Sequence, residues 1–260
     1  MEVVVWNMQH KLESWESLRG LGADIALLNE ATPVPAGIQA LALGDTKGRD
    51  DYPRHWSTAV VSPHPIRPVE DAQATSWGRT RKVPFHNSRP GSWTAATVAV
   101  PGIGEVTAIS LYGLLDEMSD ASVHRSLSEV SPIFDDERYH DLVLLGGDLN
   151  TSTGWDPRTD ARHLARDRTV LERISAYGLV DCLQQVRPTG RLDGCRCGLG
   201  DDCTHTRTRL DPLNPDIPYQ MDYLYASPTM AERLERCEVL APPEWPSPSD
   251  HFPIMATFRS

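Results

Sequence analysis

The 260-residue chain contains no apolar run of about 18 residues, so it offers no candidate for an ordinary membrane-spanning helix. Its opening, Met1-Glu2-Val3-Val4-Val5-Trp6-Asn7, lacks the basic start and long apolar core of a secretory signal. The expected location is therefore the cytoplasm. Positive charge is also scarce: 25 Lys and Arg face 36 Asp and Glu, a formal net charge of -11. That excludes a surface built for avid, nonspecific nucleic-acid binding. It leaves room for a nuclease, because carboxylates gathered around metals are part of the same total. Cysteine is sparse and odd in number, at five, and without a secretory signal disulfides are disfavoured. There is no internal repeat and no low-complexity tract.

What remains is an ordinary globular composition, 40% hydrophobic and 23% charged, long enough to bury a core without staples. Residues 2–6 and Ile25–Leu28 read as short buried strands flanking a helix over 13–22, with Ser14 as its N-cap and Gly22 as its stop. Residues 31–55 read as loop with one helical turn near 39–43. Ser57–Ser62 follows as a strand, and residues 70–92 as a polar loop. Trp93–Val100 and Glu105–Leu111 form a hairpin across Pro101-Gly102-Ile103-Gly104. Helices are expected over Ala121–Phe134, Asp160–Tyr177 and Pro228–Glu235. Further strands are expected at Leu142–Leu145, Met221–Ala226 and Ile254–Phe258. Residues 186–219 are rich in turn formers. The irregular mixture suits an α+β architecture of two or four layers better than a repeating βαβ fold.

Several segments share one feature: an apolar, strand-like run that ends in a polar group. They are Val3-Val4-Val5-Trp6-Asn7, Ala26-Leu27-Leu28-Asn29-Glu30 and Val143-Leu144-Leu145-Gly146-Gly147-Asp148-Leu149-Asn150. Met221-Asp222-Tyr223, Ser249-Asp250-His251 and Ile109-Ser110-Leu111-Tyr112 complete the set. Taken singly, an Asp after a strand is most often a turn or cap residue. Taken together, stacked strand ends would gather oxygen donors suited to a hard cation beside an imidazole. Carboxylates that converge need a metal or a proton to offset their repulsion. Hydrolysis of a phosphate ester needs water, a group to orient or deprotonate it, and positive charge at the developing oxyanion. Asp, His and a metal meet those needs.

In this order and over nearly the whole chain, these motifs resemble the endonuclease/exonuclease/phosphatase superfamily, which includes deoxyribonuclease I and the exonuclease III-type abasic-site endonucleases. Gly147-Asp148-Leu149-Asn150 with Ser249-Asp250-His251-Phe252-Pro253 is the specific pair. The resemblance implies one domain over 1–260, an α/β/β/α four-layer sandwich of two packed, mostly antiparallel sheets. It implies Asn7, Glu30 and Asp250 at a Mg²⁺ or Mn²⁺ site, with Glu30 the principal ligand. Asp148 would position or deprotonate water, or hold a second metal. Asn150 and His251 would contact the scissile phosphate, and Asp222 would orient His251, which also stands as a candidate base. Tyr112 falls where abasic-site endonucleases carry a tyrosine. A carboxylate on an imidazole nitrogen fixes its tautomer and favours its charged form, which agrees with the Asp222–His251 pairing. Asn29 stands where the family usually has glutamine, and Gln9 where abasic-site endonucleases often have a further acidic ligand.

Cys195, Cys197, Cys203 and His205 lie close together in a Cys-rich insert at about 190–218. Structural Zn²⁺, free thiols and a disulfide are all open for it. Cys182 and Cys237 read as small buried hydrophobes. The basic stretch Arg79, Arg81, Lys82, His86 and Arg89 is either a solvated loop or a phosphate-contacting one. Arg79, Arg81, Lys82 and Arg89, together with Arg207 and Arg209, are the cations available to a phosphate backbone.

The expected activity is thus a metal-dependent phosphoesterase, first of all a nuclease with DNA or RNA as partner. One rival within the family is a small-molecule or lipid-headgroup phosphatase, which the acidic charge favours. A rival of another class is an inactive binding module, which would show gaps among Glu30, Asp148, Asn150, Asp222, Asp250 and His251; there are none.

Overall fold

The computed structural model describes residues 1–31, 33–47, 55–115, 118–151, 160–186 and 205–260. Strand β1 (Glu2–Asn7) pairs in parallel with β2 (Ile25–Asn29), and helix α1 (Leu12–Leu21) crosses between them. With β3 (Ala40–Lys47), β4 (His55–Val61), β13 (Leu234–Val239) and β14 (Ile254–Phe258), they form a first sheet in the order β13-β14-β1-β2-β4-β3. The second sheet runs β11 (Val180–Asp181), β12 (Asp222–Ala226), β10 (Val143–Asp148), β9 (Gly104–Leu111), β8 (Trp93–Val100), β5 (Ile66–Pro68). Within each sheet one neighbouring pair is parallel, β1 with β2 and β9 with β10; the other pairs are antiparallel.

The strands read as continuous apolar runs because both faces of each sheet are covered, and side chains alternate between two cores. Val3, Val5, Ile25 and Leu27 point inward and meet Ala96, Val98, Val106, Ala108, Leu144 and Leu224 of the second sheet. Val4, Trp6, Ala26 and Leu28 point outward, against Trp15 and Leu18 of α1. On the far side, Trp93, Ala95, Ile109, Leu111, Leu145, Tyr223 and Tyr225 pack beneath helices. Those helices are α2 (Ser119–Val130), through Val123 and Leu127, and α4 (Ala161–Ala176), through Val170 and Ile174. The result is the four-layer α/β/β/α sandwich. Fully burying each such aliphatic or aromatic side chain contributes about 1.5–3 kcal/mol.

Helix boundaries follow local chemistry. Gly22 ends α1 in the left-handed region at φ 64°, as a C-terminal glycine does. Asp160 caps α4 by accepting the His163 backbone N–H at 2.9 Å. Ser14 does not cap α1: Lys11 is the N-cap residue, and the buried Ser14 hydroxyl donates to the Met8 carbonyl. The stretch read as loop over 31–55 contains β3 instead. Its Gly44-Asp45 pair, a breaker by composition, falls where the register with β4 shifts, between Leu43 and Thr46. The polar stretch 70–92 also holds strands, β6 (Asp71–Ser76) and β7 (Arg79–Pro84), paired with each other alone. β7 is largely exposed, and neither strand carries large apolar residues at alternate positions. The helix expected over Pro228–Glu235 is the short α6 (Pro228–Ala231), after which β13 begins. The helix expected over Ala121–Phe134 divides into α2 and α3 (Pro132–Asp135), because Pro132 takes the first position of the second piece.

Candidate active site

The polar strand ends converge at one end of the two sheets. Asn7 closes β1, Glu30 follows β2, Tyr112 follows β9, Asp148 closes β10, and Asp222 opens β12 directly opposite Asp148. What lets the sheets meet so closely there is glycine. At Gly147, φ is 147°, and a Cβ would sit 1.9 Å from the Leu111 carbonyl oxygen and 2.9 Å from Asn29 Oδ1. Asn29 fills the junction, accepting the Asp148 backbone N–H at 2.7 Å and donating to the Leu111 carbonyl at 3.1 Å. The Ser110 hydroxyl donates to the Leu28 carbonyl, a further link between the sheets.

The loop before β14 completes the site. Trp6 Nε1 donates to the His251 carbonyl, and the Ser249 hydroxyl donates to the Asn7 carbonyl while accepting the His251 N–H. Those bonds fix Asp250 and His251 over the ends of β1 and β10. His251 Nδ1 lies 2.8 Å from Asp222 Oδ2, and Nε2 lies 3.8 Å from Asp148 Oδ2 and 3.9 Å from Asp250 Oδ1. Asn7 Nδ2 donates to Asp148 Oδ2 at 2.9 Å and to Glu30 Oε1 at 3.3 Å. The Tyr112 hydroxyl donates to Glu30 Oε1 at 2.6 Å. Asn150 donates from its backbone to Asp148 Oδ1, and from its side chain to Asp148 Oδ2 and the Gly113 carbonyl.

Asn7, Glu30, Tyr112, Asp148, Asn150, Asp250 and His251 all line one cleft of about 480 Å³. Asp222 is fully buried behind His251 and does not line it. Of the six cations considered for a phosphate backbone, only Arg209 lines the cleft. Its Nε donates to Asp250 Oδ2 at 3.1 Å and its guanidinium lies over the Tyr219 ring. His10 and Lys11 line the cleft as well and were not singled out in the sequence. Nothing local marks them; Arg209 arrives through a backbone bridge to His251. Cys195, Cys197 and Cys203 lie outside the described residues, whereas His205 is buried, and burial pushes its imidazole down to about 4. Cys182 and Cys237 are buried free thiols.

The backbone is strained where the site is built. Gln9, His10, Glu30 and Asn150 all adopt positive φ, between 48° and 56°, and all four line the cleft. Such conformations cost of order 1 kcal/mol or more for non-glycine residues and persist where surrounding structure over-determines them.

Electrostatically the site is a buried cluster of mixed sign. Burial raises the Asp148 carboxyl above its ordinary range; the His251 charge and the bond from Asn7 pull the other way. Burial alone would depress His251, but the facing charges of Asp222 and Asp148 and the Asp222 hydrogen bond hold it above its ordinary value.

The profile of the Endonuclease/Exonuclease/phosphatase family matches residues 4–251. The chain belongs to that family. By family it is a phosphoesterase. No curated protein gives a match to the sequence. Among solved structures, the fold is similar to a 3' phosphatase from Neisseria bound to product DNA hairpin, at TM-score 0.65 and 19% identity over 100% of both chains. It is similar to an AP endonuclease from Archaeoglobus fulgidus, at TM-score 0.61 and 16% identity over 100% of both chains. The Xenopus laevis APE2 catalytic domain is a third, at TM-score 0.65 and 16% identity, over 99% of this chain and 91% of that one.

A divalent metal, which the family implies, fits the residues present. Glu30 and Asp250 are oxygen donors on the cleft, the preference of a hard cation. Asp250 Oδ1 is buried with no hydrogen-bond partner among the described residues, an acceptor that a cation would satisfy. Asn7 Oδ1 accepts the Gln9 N–H, which leaves it one lone pair. Asp148, Asp222 and His251 can also offer one ligand atom each within 4.8 Å of one another. There the Asp222–His251 contact is a hydrogen bond that already occupies Nδ1, so the oxygen set around Glu30 is the better match.

Proposed function

We propose that this protein is a Mg²⁺- or Mn²⁺-dependent nuclease that hydrolyses phosphodiester bonds by direct attack of water. The carrying observation is that His251 stands between Asp222 and Asp148 in the same cleft that holds Glu30, Asp250 and Arg209. Glu30 and Asp250, with help from Asn7, would hold the metal, which would supply Lewis-acid stabilisation of negative charge on the phosphate.

The remaining roles belong to side chains. Asp222 accepts the Nδ1–H of His251 and, with Asp148, favours the imidazolium, whose second proton, on Nε2, is donated to a non-bridging phosphate oxygen. Asn7 and Asn150 fix Asp148 Oδ2 beside that point, where it accepts the proton from the attacking water. Burial makes Asp148 a stronger base than an exposed aspartate, closer to the operating pH. Tyr112 holds Glu30 in place and Arg209 offers a guanidinium to the phosphate; as the water oxygen bonds to phosphorus, the P–O ester bond breaks and its oxygen leaves as an alcohol protonated by solvent in the open cleft. Nucleic acid as substrate is supported by the solved relatives, two of which are by title a DNA-bound phosphatase and an AP endonuclease.

The net charge of -11 favours the second reading, a compact phosphate ester. A substrate panel separates the two: supercoiled DNA, abasic duplex, single-stranded RNA, sphingomyelin and inositol phosphates, each with Mg²⁺ or EDTA. Cleavage of a nucleic acid in Mg²⁺ and none in EDTA is expected. Hydrolysis of sphingomyelin or inositol phosphates alone would overturn the nuclease reading.

A further inference from the structure

The hairpin of β6 and β7 stands apart from the cleft, and none of its residues lines it. Its turn places Trp77 at φ 54° and Gly78 at φ 70°. Two successive left-handed residues make a tight hairpin turn that ordinarily selects Asn or Gly at the first position. Here a tryptophan occupies it and is 99% exposed. A large indole in a strained conformation with almost no burial gains nothing for folding. Beside it, Arg79 and Arg81 are exposed on one face of β7 and have no ion-pair partner among the described residues. Lys82, on the other face, is paired with Asp71. The root is fixed rather than loose. Arg138 binds both Asp71 and Asp136, Asp136 accepts the Gln73 backbone N–H, and Phe85 packs edge-on to Trp93.

We propose that this hairpin is a docking finger for a nucleic-acid strand: Trp77 stacks on a base while Arg79 and Arg81 hold neighbouring phosphates. The inference rests on the nuclease reading for its partner. Charge and shape favour it over a membrane. Trp77 is the one exposed large hydrophobic of the hairpin among the described residues, whereas membrane insertion needs an apolar cluster. An indole beside two exposed guanidinium groups, two residues apart along a strand, is the combination that holds single strands by stacking and phosphate contact. On a chain with a net charge of -11, two exposed arginines beside a strained tip give a strand a local foothold.

The test is binding of a fluorescein-labelled single-stranded oligonucleotide in EDTA, followed by anisotropy, beside turnover of bis(p-nitrophenyl) phosphate in Mn²⁺. Trp77→Ala should weaken binding at least about fivefold, the lower bound for one base–aromatic stack, and Trp77→Phe should restore most of it. Arg79→Ala with Arg81→Ala should flatten the dependence of log affinity on log salt by about 1.4, the change for two phosphate contacts on a single strand. Small-ester turnover should be the same in all variants. Unchanged oligonucleotide affinity in these variants would overturn the proposal, as would a wild-type protein that binds phosphatidylserine vesicles through Trp77 and ignores the oligonucleotide. A wild type that binds strands through Trp77 but never cuts them would remove the nuclease reading and leave the finger standing. Cleavage with undiminished affinity in the variants would do the reverse.

Discussion

Asp148 and Asp181 are two buried aspartates of the same sheet, set against the same strand, β12, at Asp222 and at Tyr225. Burial is the largest influence on both and raises both carboxyls. Their surroundings differ. Asp148 faces an imidazole, two side-chain amides and an open cleft. Asp181 caps α5 (Cys182–Val186), accepting the Leu183 and Gln184 N–H groups on Oδ1, while Oδ2 has no partner among the described residues. A perturbed carboxyl is therefore no sign of chemistry by itself. The decisive feature at Asp148 is convergence: groups from β1, β10, β12 and the loop before β14 meet around it, whereas Asp181 is served by its own helix.

The comparison is broken most sharply at Asp148. Asp148→Asn should cut turnover by about 10²- to 10⁴-fold, the usual worth of a positioned base, with the thermal midpoint little moved. Near-normal turnover would remove Asp148 from the mechanism. Gly147→Ala, one residue away, should do the opposite kind of damage. Its Cβ would collide with the Leu111 carbonyl at a φ that L residues rarely adopt, so denaturant unfolding should show a loss of several kcal/mol. A variant as stable as the parent would mean that the sheets do not meet as described.

Asp181 gives the smallest effect and the cleanest sign. Its carboxyl rises from 3.8 to about 6 on folding, so the folded state holds its proton more tightly than the unfolded chain. That contribution to stability is fully present below pH 4 and is lost as pH rises through about 6. Asp181→Asn keeps a capping oxygen and carries no charge. Relative to the parent it should gain on the order of 2 to 3 kcal/mol between pH 4 and pH 7, with no change in turnover. A pH-independent difference would show that Asp181 is not held in a protonation-sensitive site.

Much of this was legible in the sequence, for identifiable reasons. Strands buried on both faces are written as unbroken apolar runs, so β1, β2, β8, β9, β10 and β12 stood out, and the polar residues at the ends of β1, β2, β9 and β10 and at the start of β12 pointed to the cleft. β3 was hidden because its Gly44-Asp45 pair mimics a loop, and only its pairing with β4 reveals a strand. The β6–β7 hairpin was hidden because its strands carry no large apolar residues at alternate positions. Arg209 was one of six candidate cations, and what singles it out is its bridge to His251, a chain crossing far away in sequence; His10 and Lys11, just past the end of β1, carried no mark of their own. Asn29, standing where the family usually has glutamine, is the amide that ties Asp148 to Leu111 across the sheets.

The central claim, that Glu30 and His251 share one cation-binding cleft, is most directly tested by adding substoichiometric Mn²⁺ and following the ring-proton NMR signals of His251. Selective broadening of those signals, abolished by Glu30→Ala at the same Mn²⁺ concentration, is the predicted result. A His251 signal that stays sharp while Mn²⁺ binds elsewhere would contradict it.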